Sequence, residues 1–227
     1  MIVINNSGLR RVLRITVPFV IIPLTVFLGT FIVPQKSYLF VSFAVTVMAL
    51  ILFISGFDRK KTGSRRLVIS SVMTALCVIG RFIPVFKPIT ALTVITGVHI
   101  GGESGFLVGA LAALISNFFS GQGPWTPFQM LAWGLIGLFA GLLSPFLKRS
   151  RWIIVAYGTV TGMIFSLIMD VWTVLWGGGF SAELYLAAVV AAIPHTVVYS
   201  LSNMIFLIIL SKPFGEKLER IKLKYGV

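Results

Sequence analysis

Charge is what this chain has least of. Asp, Glu, Lys and Arg make up 11% of its 227 residues, and only six of them are acids. A soluble domain carries about 25%, so the deficit excludes a water-soluble enzyme or binding module. Cysteine is nearly absent too. The single Cys77 excludes an internal disulfide and a cysteine-rich metal site, and its apolar setting reads as a small buried side chain. The ~10-residue alternating segments of a membrane β-barrel are missing. So is any G-x-x-x-x-G-K-[ST] phosphate loop, and an energy source for active transport would therefore lie on another chain.

What is present is apolar length. Residues of the hydrophobic set make up 57% of the chain, arranged in runs near the ~20 residues that span a bilayer. We read an all-α integral membrane protein with eight spans: Ile15–Val33, Tyr38–Gly56, Leu67–Ile83, Pro88–Gly101, Ser104–Phe119, Thr126–Leu147, Trp152–Leu175 and Leu184–Leu210. The fourth and fifth are short enough to be tilted, thinned or partly re-entrant. Pro194 predicts a kink in the last.

The net charge of +13 gives orientation rather than nucleic-acid binding. Arg10, Arg11 and Arg14 precede span one, and Arg59, Lys60, Lys61, Arg65 and Arg66 follow span two. Lys148, Arg149 and Arg151 follow span six. Lys212, Lys217, Arg220, Lys222 and Lys224 follow span eight. With the N-terminus inside, these sixteen fall on the cytoplasmic side and only Lys36, Arg81 and Lys87 fall outside. Both termini are then cytoplasmic. The first span is too long for a cleavable signal and no small-x-small site follows it. "GFDRKKTGSRR", Gly56–Arg66, reads as the one linker. It divides an N-terminal hairpin (1–63, with the basic linker) from a six-span core (64–227).

Small residues recur at spacing three or four. Gly105, Gly109 and Ala113 share one span, Gly134, Gly137 and Gly141 the next, and Gly158 and Gly162 the seventh. Such spacing lets helices approach closely in lipid, and we expect internal packing. In span three, Ser70 with Thr74 and Ser71 with Ala75 form a smooth face suited to docking another membrane subunit.

Polar residues collect near the outer ends of the core spans, where intramembrane charge defaults to function. Arg81 and Lys87 flank an outer loop. The corner "SGQGPWTPFQM", Ser120–Met130, has Gly121 and Gly123 for a tight turn and Thr126–Pro127 for a helix start. It would hold Gln122 and Trp125 at a rim and aim Gln129 inward, with Trp133 one turn on. Asp170, Trp172 and Trp176 follow on span seven, and His195, Tyr199 and Asn203 on span eight. A structural Asp170–Arg81 pair beneath an interfacial tryptophan belt is one reading; a small-molecule pocket with aromatic walls is the other. His99 and His195 fall on opposite sides, which speaks against a shared metal site.

"RRLVISSVMTALCVIGRFIP", "GGESGFLVGALAALISNFF", "GQGPWTPFQMLAWGLIGLFAGLL", "FSLIMDVWT" and "IPHTVVYSLSNMIFLIIL" resemble the substrate-binding S component of an energy-coupling factor (ECF) vitamin transporter, across roughly Ser64–Lys224. The resemblance implies a six-helix bundle that binds one vitamin on the outer side, has no ATPase and no cofactor of its own, and works with a transmembrane T component and two ATP-binding subunits. It places Ser71 and Ala75 at the docking position. It is nearest the cobalamin type; riboflavin, pantothenate and a queuosine precursor are alternatives. The expected binding set is Arg81, Trp125, Gln129, Trp133, Asp170, Trp172, Trp176, His195, Tyr199 and Asn203.

Two other classes compete. "GESG", Gly102–Gly105, matches the G-x-S-G of rhomboid-type intramembrane proteases, with His195 as the dyad partner. Ser104 falls near the cytoplasmic face and His195 toward the outer half, and Ser104 reads instead as a cap on span five. A purely structural membrane protein would need no pocket at all.

Overall fold

The computed structural model describes residues 4, 6–32, 38–56, 60–177 and 180–225. Among them every regular element is helical. Helix α1 (Ser7–Thr16) starts where the Asn6 side chain accepts the Leu9 N–H at 3.1 Å. It passes through a π-helical turn, Val17–Ile21, into α2 (Ile22–Ile32). Pro18 and Pro23 sit at this turn, and neither can donate a backbone N–H, so the regular ladder cannot run through. Then follow α3 (Tyr38–Ser55), α4 (Lys60–Gly80), α5 (Ile89–Ile100), α6 (Gly102–Ser120), α7 (Thr126–Leu142), the short α8 (Ser144–Leu147), α9 (Arg151–Trp176) and α10 (Ala182–Tyr225). The continuous α1–α2 helix, α3 to α7, α9 and α10 are the eight main helices. Six are long and apolar enough to span a membrane alone, and α5 and α7 are shorter. The protein is a multi-pass membrane protein.

The shortness of α5 has a packing reason. Its twelve residues extend about 18 Å, and all twelve are buried. Other helices surround it, so it meets no lipid and need not match the bilayer thickness. It packs on α6, α7 and α10, while α9 lies along α10. The glycines close these contacts as expected. A Cβ on Gly105 would lie 2.5 Å from the Gly137 carbonyl oxygen, and one on Gly97 would collide with the same atom. Gly158 is closed over by Leu207, and Gly162 by Ser200 and Asn203. The hairpin is docked on the core through α3 against α6, and α2 adds contact with α7.

The connections gather at two ends. One, the basic end, holds the start of α1, the ends of α3, α5 and α7, α8, and the tail of α10. The other, the far end, holds the α4–α5 loop, the α6–α7 corner and the α9–α10 connection.

Several boundaries differ from the sequence expectation. The linker is mostly helix: α4 begins at Lys60, well before Leu67, because Lys and Arg are good helix formers once outside the apolar layer. Helix α10 runs 44 residues to Tyr225, well past Leu210 and through both Pro194 and Pro213. Gly101, at φ +123°, forms the turn into α6, so Ser104 lies inside the first turn and is not its cap. Likewise Trp125, not Thr126, is the N-cap of α7. Lys36, Arg59 and the stretch 57–59 lie outside the described residues.

Candidate functional site

The far end encloses a cavity of about 660 Å³ between the α4–α5 loop, α7, α9 and α10. Arg81, Val85 and Lys87 line it from the loop, Gln129 and Trp133 from α7, Phe165, Ser166, Met169 and Asp170 from α9, and Ala192, Pro194, His195, Val198 and Tyr199 from α10. That volume suits a drug-sized organic ligand, and an aromatic wall with a few convergent polar groups is the usual construction.

The aromatic wall is fixed by hydrogen bonds. Trp133 Nε1–H donates to the Tyr199 hydroxyl at 2.6 Å, and that hydroxyl also lies 2.6 Å from Thr90 Oγ1. Indole N–H can only donate, so Tyr199 accepts from Trp133, while either hydroxyl can donate in the Tyr199–Thr90 bond. Phe165 stacks on Trp133 (centroids 4.9 Å, planes 11° apart) and lies 4.9 Å from the Tyr199 ring. His195 is parallel to Tyr199 at 6.0 Å. The result is a rigid face of rings from α7, α9 and α10.

The corner is held just as firmly. Asn117 Nδ2 donates to Thr126 Oγ1 (2.8 Å) and Gln129 Oε1 (2.9 Å), Thr126 Oγ1 donates to Gln122 Oε1 (2.9 Å), and Gln122 Nε2 donates to the Leu114 carbonyl (2.9 Å). Gly121 takes φ +104°, which favours glycine. A side chain at Gly123 would strike the Trp125 ring.

The charges are treated differently. Arg81 Nη1 donates to Ser116 Oγ at 2.7 Å, and its guanidinium lies 5.6 Å from the centre of the Trp133 ring. It does not bond Asp170, so the structural pair raised by the sequence does not form. Asp170 is 7% exposed, and its Oδ2 is buried without a hydrogen-bond partner. Its ionisable neighbour is His195. Lys87 is pinned by its backbone: Ser202 Oγ accepts its N–H (2.7 Å) and donates to its carbonyl (3.0 Å). Burial, and then the positive charge of Arg81, push the Lys87 ammonium below its ordinary pKa. Val85 in the same loop has φ 63°, a conformation costing a β-branched residue roughly 1–3 kcal/mol. Such strain collects at ligand sites.

Of the ten residues expected to bind, Arg81, Gln129, Trp133, Asp170, His195 and Tyr199 line this cavity. Trp125, Trp172 and Trp176 form an aromatic row outside its lining, with ring centroids 5.8 Å and 6.0 Å apart in sequence order. Asn203 is fully buried between helices, donating to the Gly158 carbonyl at 3.1 Å. Sequence reasoning missed Phe165, Ser166 and Met169 in the wall, and Thr90 and Asn117 behind it. The buried amide of Asn117 within a span carried a usable signal; the α9 residues carried none.

Ser104 is fully buried at the basic end, whereas His195 lines the far-end cavity. The protease dyad is therefore not assembled.

A relative from Aliivibrio salmonicida (strain LFI1238), a UPF0397 protein, is 29% identical over 146 residues, covering 60% of this chain and 77% of its own length. No solved structure matches the chain. Residues 61–220 match the family model described as "ECF-type riboflavin transporter, S component". That match takes in the whole bundle from α4 to α10, most of the chain, and on it the chain belongs to the S-component family of ECF-type transporters.

Proposed function

We propose that this protein captures a vitamin or vitamin precursor in the far-end cavity, for ATP-driven import by a T component and two ATP-binding subunits. The far end is the outer face and the basic end the cytoplasmic face, with both termini inside; the distribution of Lys and Arg supports this orientation. The observation that carries the reading is the cavity itself, where nine polar or aromatic residues from four segments converge.

The cargo that fits best is a flat heterocycle of riboflavin's size. The volume and the stacked face of Trp133, Phe165, Tyr199 and His195 favour it. Cobalamin is the second reading, and the outer row of Trp125, Trp172 and Trp176 favours it by offering apolar surface beyond the cavity for a larger body.

Docking fits the opposite end. Ser71 and Ala75 are exposed on α4, and Ser71 satisfies its own hydroxyl on the Leu67 carbonyl (2.9 Å). Beside them an apolar groove of about 780 Å³ runs between α4 and the tail of α10. Its lining is apolar apart from Arg65, Lys217 and Tyr225, and it suits a partner helix better than a vitamin.

Titration calorimetry of the detergent-purified protein with riboflavin, cobalamin, pantothenate, thiamine and a queuosine precursor tests the proposal. One cargo binds at one mole per mole, and Trp133→Ala weakens it at least tenfold. Silence across the panel, from folded protein, would move the assignment to a structural membrane protein.

A further inference from the structure

The far-end cavity holds an electrostatic imbalance. Arg81 and Lys87 both line it, close enough that the charge of one acts on the other. Neither has a carboxylate partner among the described residues, whose ion pairs are Arg14–Glu103, His99–Glu219 and Lys148–Glu219. Arg81 has five N–H donors in a planar fork, and only one reaches a protein acceptor, Ser116. Lys87 brings three more donors, and the two Ser202 bonds hold its backbone at the rim. Two cations converging in a half-buried site repel each other and lose hydration, and an anion between them reverses both costs. The one acid in the cavity, Asp170, faces His195 instead, and its buried Oδ2 still needs a donor.

We propose that the cargo is an organic anion: a flat heterocycle whose carboxylate or phosphate group is bound jointly by Arg81 and Lys87, with an N–H edge of the ring against Asp170. Planar guanidinium and point-like ammonium together suit either oxyanion. The inference rests on the reading of this cavity as the cargo site.

Matched neutral and anionic ligands test it by calorimetry. Riboflavin against riboflavin 5′-phosphate probes phosphate, and orotamide against orotate, a flat ring with N–H edges, probes carboxylate. In one pair the anionic member binds at least tenfold tighter. Lys87→Gln, in an open loop, removes most of that preference. Arg81→Gln removes the rest, and Arg81→Lys restores part of it. Melting curves of each variant confirm folding. If a neutral member binds as tightly as its anionic partner, or if Lys87→Gln and Arg81→Gln leave the anionic affinity unchanged, the anion inference is overturned while the S-component reading stands. If neither pair binds, the inference falls, and the wider vitamin panel decides whether the cavity is a cargo site.

Discussion

The two ends of the molecule use the same residue types in opposite ways. At the basic end, charges are spent on the fold. Glu103, nearly buried, pairs with Arg14 and so ties the hairpin to the core. Arg66 donates to the carbonyls of Gly56 (3.1 Å) and Ile100, tying α3 to α4 and capping the C-terminus of α5. Glu219 on the α10 tail joins His99 of α5 (3.0 Å) and Lys148 beside α8. At the far end, Arg81, Lys87 and Asp170 share a cavity and no ion pair. The neutral groups there are joined to each other: Trp133, Tyr199 and Thr90 form one chain, and Asn117, Thr126, Gln122 and Gln129 another. The fold uses Arg14, Glu103, Arg66 and Glu219 to tie its elements together at one end, and leaves Arg81, Lys87 and Asp170 without an ion pair among the described residues at the other.

This contrast can be broken experimentally. The largest effect belongs to Tyr199→Phe. It strands the buried Trp133 N–H, which costs about 1–3 kcal/mol, and loosens the aromatic wall. The melting temperature falls, and cargo affinity falls about tenfold by calorimetry. A variant that melts lower but binds unchanged would detach the wall from the site. A smaller and more selective effect belongs to Glu103→Gln. It removes the hairpin's ion pair, and because the Arg14 side chain is half exposed the loss is about 1–2 kcal/mol, below the range for a fully buried pair. Stability drops by a few degrees and cargo affinity stays constant. An affinity loss as large as that of Tyr199→Phe would show that the two ends are coupled, and the division drawn above would fail.

Much of this was legible in the sequence. The low charge and the apolar runs predict an all-helical membrane protein, and six of its helices are long and apolar enough to span; the glycine spacing predicts the seams between α6 and α7. Helix ends were less legible where water, not composition, decides them: Lys60–Arg66 and Lys212–Tyr225 read as linker and tail, yet a helix already formed in the membrane propagates into them at little cost. Convergence was partly legible. Polar and aromatic residues near one membrane face were visible as a group, and six of them meet in one cavity. Asn203 looked the same as Tyr199 in sequence; it stands one turn further along α10, where it meets the Gly158 backbone. Phe165 and Met169 could not be told from lipid-facing residues, because a 3.6-residue period does not say which face of an apolar helix turns inward.

The central claim is that cargo sits in the far-end cavity and enters from outside. It is tested most directly by introducing Met169→Cys, in the cavity wall, into a Cys77→Ser background, and labelling intact cells with a membrane-impermeant maleimide. The account predicts labelling from the outside that is suppressed by a saturating amount of the cargo found in the binding panel. Labelling that proceeds equally with and without bound cargo would contradict it.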